Sequence, residues 1–165
     1  MMSNKYDEEF LNKVFEDAHN DKSLLENIDI DELISMTENE KMDYLNDKTL
    51  DIIMGENLEA LSTLDTRQDT IQVIYNKLAG YRHVENLYEL HKGKHIRWIR
   101  YNNPSKITNG AIVSDIKFCD NGTHIQCRTI QCKVFQIKYD DCMIFQKLSV
   151  GEQLVLMAYE YTKST

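Results

Sequence analysis

The side chains best equipped for chemistry are four cysteines, five histidines and one strand-like run of cations and aromatics. Cys119, Cys127, Cys132 and Cys142 are spaced C-x7-C-x4-C-x9-C. Zinc ribbons and fingers draw their thiolates from C-x2-C or C-x4-C pairs at tight turns. Only Cys127 and Cys132 have such a gap, so the cysteines read as reduced, half-buried structural thiols, with a zinc site as the minor alternative. Catalysis by one of them needs a base within hydrogen-bonding reach, and the sequence specifies none. His91 and His95 are four apart, but Gly93 lies between them and breaks the helical face that would align two ligands. They read as exposed linker histidines. No catalytic residue is assigned, and no metal or cofactor is expected.

Arg97, Trp98, Arg100 and Tyr101 alternate cations with aromatics. With Lys106, Arg128 and Lys133 they would form a basic surface for single-stranded nucleic acid, bases stacking on rings while cations meet phosphate. The competing reading places Trp98 in the core, with Ile96 on its face, and pairs the arginines with acidic partners. Runs such as Asp29-Ile30-Asp31-Glu32 read as solvated helix faces and caps rather than an acid/base pair. No phosphate-binding glycine loop, dinucleotide fingerprint, H-E-x-x-H, G-x-S-x-G or EF-hand loop occurs.

The elements that would position these residues change character once along the chain. Tyr6, Phe10, Leu11, Val14, Phe15 and Ala18 recur at helical spacing, behind a first turn of Asp7, Glu8 and Glu9 that suits the positive end of a helix. Ser23 is placed to cap a short segment with Leu24, Leu25 and Ile28. Thr37 and Glu40 have capping-box spacing ahead of Met42, Tyr44 and Leu45. Further helical periodicity runs from Thr49 to Leu64 despite Gly55, from Thr66 to Gly80, and through Val84, Leu87, Tyr88 and Leu90 to Gly93. From Lys94 the pattern is that of strands: His95–Tyr101, Ala111–Phe118, His124–Ile130, Lys133–Tyr139 and Met143–Phe145. Asp120-Asn121-Gly122 is a hairpin signal, because both central positions favour positive φ. Ser149 and Glu152 have capping-box spacing before Leu154, Val155, Met157, Ala158 and Tyr161, which predicts a final helix.

With 165 residues, 42% of them hydrophobic and 28% charged, the chain is globular rather than disordered. One proline and six glycines leave few breakers, so most of it is regular structure. The acidic start lacks the apolar core of a secretory signal and the arginines of a transit peptide, and no run approaches a membrane span. The net charge of −8 is uneven: residues 1–90 hold 8 Lys/Arg against 21 Asp/Glu, a net −13, and residues 91–165 hold 11 against 6, a net +5. Such asymmetry gives the halves different partners or makes each a partner of the other. The expectation is an α+β protein with an acidic helical region over residues 1–92. Residues 93–165 would form a small five-stranded SH3-like or OB-like β-barrel with a closing C-terminal helix.

The stretch from Leu90 to Ala158 carries "KGKHIRWIRY", "ITNGAIV", "CDNGTHIQC" and "IFQKLSVGEQLVLMA". It resembles uncharacterised small proteins of large nucleocytoplasmic DNA viruses, which pair an L-x-x-G-x-x-IRW strand entry with a terminal FQKLxxxExLIL element. The resemblance covers roughly 40% of the chain and brings no catalytic residues with it. It implies a virion or virus-factory component in the host cytoplasm or nucleus. The expected function is that of a non-enzymatic protein-binding or structural module whose partner is another protein. The alternative is a nucleic-acid-binding accessory protein using the basic face of the barrel.

Overall fold

A computed structural model of the chain describes residues 8–27 and 43–164. The described helices are α1 (Glu8–Asn20), α2 (Leu50–Leu61), α3 (Gln68–Lys77) and α4 (Val150–Ser164). The strands are β1 (Tyr81–His83), β2 (His95–Arg100), β3 (Ala111–Cys119), β4 (Gly122–Arg128), β5 (Val134–Lys138) and β6 (Cys142–Lys147). Among the described residues no helix is long and apolar enough to cross a membrane. The chain divides into two compact units, residues 1–52 with 148–165, and residues 53–147. The first division falls inside α2, well before the change of hydrophobic periodicity at Lys94.

In the first unit, α1 turns Leu11, Val14, Phe15 and Ala18 inward, as their spacing predicts, while Phe10 stays exposed. The 3-10 turn Lys22–Asn27 follows, and its cap is Asp21 rather than Ser23. The Asp21 carboxylate accepts from the Ser23 backbone N–H at 3.0 Å and from its hydroxyl at 2.6 Å. Thr37, Glu40 and Met42 lie outside the described residues. The capping box of α4 forms as read from the sequence. Ser149 N–H donates to Glu152 Oε1 at 3.0 Å, and Glu152 N–H donates to Ser149 Oγ at 3.1 Å. Glu152 is fully buried, and its other oxygen accepts from the Tyr44 hydroxyl at 2.9 Å. A buried carboxylate is costly unless satisfied in this way.

The second unit is built on one antiparallel sheet of order β1-β6-β2-β3-β4-β5. β2 and β6 pair from Ile96↔Gln146 to Arg100↔Cys142, and both are apolar on both faces. Ile96, Trp98, Cys142 and Ile144 point into one core with Val113, Ile125, Cys127 and Ile137. Ile99, Met143 and Phe145 point the other way, against Leu61, Leu64, Ile71, Ile74 and Leu78 from α2, α3 and their connections.

The face without helices buries itself by curling. The rings of Trp98 on β2 and Phe135 on β5 have centroids 5.8 Å apart. Three strand spacings of a flat sheet would separate them by about 14 Å. A bulge between Val113 and Asp115 adds the local twist that curling needs. Gly110, at φ +90°, allows β3 to enter against β2, since a Cβ there would overlap the Ile96 carbonyl oxygen.

Two expectations are corrected. The sheet has six strands rather than five, and it is open: β1 and β5 are its edges, and no ladder joins them among the described residues. Nor do Val84 to Leu90 form a helix. The Val84 N–H continues the β1 ladder onto the Ile144 carbonyl at 2.9 Å. Asn86 then starts a single 3-10 turn, Leu87–Glu89, which ends when Leu90 becomes extended.

β1 has only three residues, yet its outer edge is not left bare. Asn57 of α2 is fully buried; its Nδ2 donates to the Tyr81 carbonyl at 2.8 Å and its Oδ1 accepts from the His83 N–H at 2.8 Å. The side-chain amide thus takes the place of a neighbouring strand. Asn57→Ala should strand both backbone groups and lower the unfolding free energy by about 2–4 kcal/mol. Denaturant unfolding measures this, and a loss below about 0.5 kcal/mol would mean that water replaces the amide at that edge.

Candidate functional site

Three chain segments converge at the end of the curled sheet. β1 leads into His83-Val84-Glu85. β2 ends at Arg100, and the Tyr101 N–H donates to the Asp141 carbonyl at 3.1 Å. β5 ends at Lys138 and passes into the 3-10 turn Tyr139–Asp141, closed by the Cys142 N–H on the Tyr139 carbonyl. The Arg100↔Cys142 register of β2 and β6 therefore sets Tyr101 beside the Tyr139 turn. The Tyr139 hydroxyl donates to the Glu85 carbonyl at 3.4 Å, a polar link between the two ends of the open sheet.

Between these segments lies a cleft of about 210 Å³, lined by His83, Glu85, Tyr101, Tyr139 and Asp140 together with Val84, Cys142, Met143 and Ile144. A second cleft of about 470 Å³ continues from it past Arg100, Asn102 and Asp141, alongside Gln136, Ile137 and Lys138 of the β5 edge. Tyr101, Asp140 and Cys142 line both.

Burial raises the Tyr139 phenol above its ordinary pKa, and the negative charges of Glu89 and Asp140 and the neighbouring Tyr101 phenol raise it further. Tyr101 is raised by burial and then by Cys142. His83 is lowered by burial, against the upward pull of Glu85, Glu89 and Glu56. The ring of His83 packs on Phe145 with centroids 5.4 Å apart. The smaller cleft thus brings two tyrosines together with Glu85 and Asp140, while Arg100 and Lys138 line the larger one. Phenol faces and carboxylates together attract a cation.

Burial disfavours the thiolates of Cys127 and Cys142. Burial raises Cys142, with Arg100 opposing, and burial followed by Cys142 pushes Cys127 up to about 11. Such thiols stay protonated at neutral pH and react slowly. Cys119 and Cys132 are exposed, and Cys127 and Cys142 are buried in the curled core. Among the described residues no group of three or more His, Cys, Asp or Glu side chains is placed to hold a metal ion.

The basic residues singled out in the sequence do not all share one surface, although the His95↔Ile112↔Arg128 register puts Arg97 and Arg128 on the same face of the sheet. Strand alternation puts Trp98 in the curled core, 3% exposed, and Arg97 on the opposite face. The Arg97 guanidinium is tied to the Thr108 carbonyl at 2.9 Å and the Lys77 carbonyl at 3.0 Å. Arg128 stands on the convex face beside Ile112 and Val134, Lys133 lies in the β4–β5 hairpin, and Lys106 follows the turn after β2. Only Arg100 and Tyr101 reach the clefts. His91 and His95 are half-buried rather than exposed. The His91 N–H donates to Gln146 Oε1 at 2.8 Å, and His95 Nδ1 shares a 2.9 Å hydrogen bond with the Tyr81 hydroxyl. Glu85, Tyr139 and Asp140 are not among the candidate site residues of the sequence, where Tyr139 only ends a strand.

No protein-family model matches the chain, and neither a curated protein nor a solved structure is significantly similar to it.

His83 and His95 carry a pH dependence. Burial lowers both below the ordinary value of 6.5, and Lys147 and Arg97 lower His95 further. Between the folded and unfolded pKa values the unfolded chain binds more protons. Their contribution to stability is therefore present above pH 6.5 and is lost as pH falls through the folded values. The melting temperature should stay level from about pH 8 to 7 and fall between about pH 6.5 and 5. His95→Gln, which keeps a partner for the Tyr81 hydroxyl, should flatten part of that fall. Identical profiles for the variant and the natural protein would exclude His95 as a cause.

Proposed function

We propose that the chain is a non-enzymatic protein-binding module, and that the cleft between Tyr101 and Tyr139 receives a cationic side chain of its protein partner. The observation that carries this reading is the meeting of two tyrosines with Glu85 and Asp140 in one cleft, brought from three separate segments. A cation on an exposed aromatic face contributes about 0.5–1 kcal/mol, and more when partly desolvated. An exposed ion pair adds about 0–1 kcal/mol. Together they give on the order of 2 kcal/mol, or about thirtyfold in affinity. That is enough to select a partner but not to hold one alone, so the adjoining cleft along β5 has to supply the rest.

The strands support the same reading. We take β2 to β5, the 3-10 turn and the return of β6 beside β2 as an SH3-like arrangement that coils without closing. The resemblance to small viral proteins would place the module in a virion or a virus factory. The alternative, nucleic-acid binding, has one observation in its favour. The register sets Lys117, His124 and Lys138 in a row across β3, β4 and β5, with Arg128 on the same convex face. Its neighbours Asp115, Gln126, Gln136, Ile112 and Val134 are acidic, amide or aliphatic, and the His124 imidazole is the one ring in the row. Single-stranded bases would find only that small ring to stack on there.

The two readings separate in one experiment on the full chain. A basic peptide should perturb backbone amide resonances at Tyr101, Tyr139 and Asp140, and an acidic peptide of equal length should not. Tyr139→Ala and Asp140→Asn should each weaken the basic peptide by roughly three- to tenfold. A single-stranded oligonucleotide should leave those resonances in place. Tight oligonucleotide binding that falls steeply with salt and survives both substitutions would replace the protein-binding reading.

A further inference from the structure

We infer that the cationic group held between Tyr101 and Tyr139 is an arginine guanidinium, so that the partner is an arginine-bearing segment; this rests on the cation-binding reading of the cleft. Two features of the walls distinguish among cations. Glu85, after β1, and Asp140, in the turn before β6, both line the cleft and both are exposed. A guanidinium has five N–H donors in a flat fork and can meet two acceptors while its face lies on a ring. A lysine ammonium is a compact, strongly hydrated point charge and gains less from that geometry.

A trimethylammonium group is the third candidate. It has no N–H to offer, so Glu85 and Asp140 would keep only a long-range attraction for it. It is best held by several free aromatic faces. Here the third ring, His83, is already packed on Phe145, which leaves two tyrosines. The adjoining cleft is of mixed charge, with Arg100 and Lys138 lining it beside Asp140 and Asp141, and its Gln136 and Asn102 can take backbone contacts of the bound segment.

The test uses the full chain and three labelled peptides of about eight residues, alternating glycine with arginine, lysine or trimethyllysine. Affinities are read by fluorescence anisotropy, and the binding site by amide resonances. The arginine peptide should bind at least about fivefold tighter than either of the others and shift Tyr101, Tyr139 and Asp140. Glu85→Gln and Asp140→Asn should each reduce that preference to about twofold or less. Tyr139→Phe should preserve it, since the ring face remains. Equal or tighter binding of the lysine or trimethyllysine peptide at the same amides would overturn arginine selection and leave the cation cleft standing. No shift at those amides with any of the three peptides would overturn both.

Discussion

The pairing of β2 with β6 is the constraint on which the 53–147 unit depends. Five residue pairs join a strand near the start of the sheet region to its last strand, some 45 residues later in sequence. Both strands are buried on both faces, and burying one large aliphatic or aromatic side chain contributes about 1.5–3 kcal/mol. A sheet whose centre is apolar on two sides must cover two faces. α2 and α3 cover one. Nothing helical in this unit covers the other, so β3, β4 and β5 fold back over it until Phe135 reaches Trp98. The end of that core is polar: Gln146 takes the His91 N–H, and the guanidinium of Arg82 lies against the Glu89 carbonyl and carboxylate. These groups tie the connection from β1 to β2 over the end of the core, because each buried polar group needs a partner.

The same register makes the cleft. With Arg100 opposite Cys142, the residue after β2 and the turn before β6 have to lie side by side. Tyr101 and Tyr139 are thus brought together by a long-range pairing and held by local bonds, the Tyr101 N–H on Asp141 and the Tyr139 hydroxyl on Glu85. Coiling without ladder closure keeps this corner open. A continuous ladder from β5 to β1 would fill the space with backbone.

Five strands, α1, α3 and the Ser149/Glu152 cap were legible because each rests on local periodicity or on two residues three apart. What depended on distant partners was not. β1 is three residues long, and its stability comes from Asn57, twenty-four residues upstream, together with β6. Val84 to Leu90 carry helical spacing, but the sheet claims the Val84 N–H. Local chemistry also had near equivalents: Asp21 and Ser23 can each cap the turn after α1, and the carboxylate, the stronger acceptor, does so. At the site, Tyr101 was legible as a ring beside cations. Its partners were not, because Tyr139 and Glu85 become neighbours only through the β2–β6 register and the curl. Trp98 lies in the core, as the competing reading of that strand has it, because strand alternation does not let Arg97 and Trp98 face one way.

Charge completes the logic of the site. Residues 53–147 hold 13 Lys/Arg and 10 Asp/Glu, a net +3, so the unit as a whole draws in anions. Four of those ten acids lie in two short stretches, Glu85 and Glu89, and Asp140 and Asp141. Glu89 is buried and faces Arg82, yet its charge still acts on Tyr139 and His83. Arg100 and Lys138 lie beside Asp140 and Asp141, so the acids of the smaller cleft, Glu85 and Asp140, act on a cation at short range rather than through a broad negative field. Salt weakens the outer field first, since exposed charges are screened beyond about 8 Å at physiological ionic strength. The short-range contacts of the cleft survive that screening better than the diffuse positive charge does. Under the proposed reading, recognition at physiological salt would depend on the Tyr101–Tyr139 corner more than on the net charge.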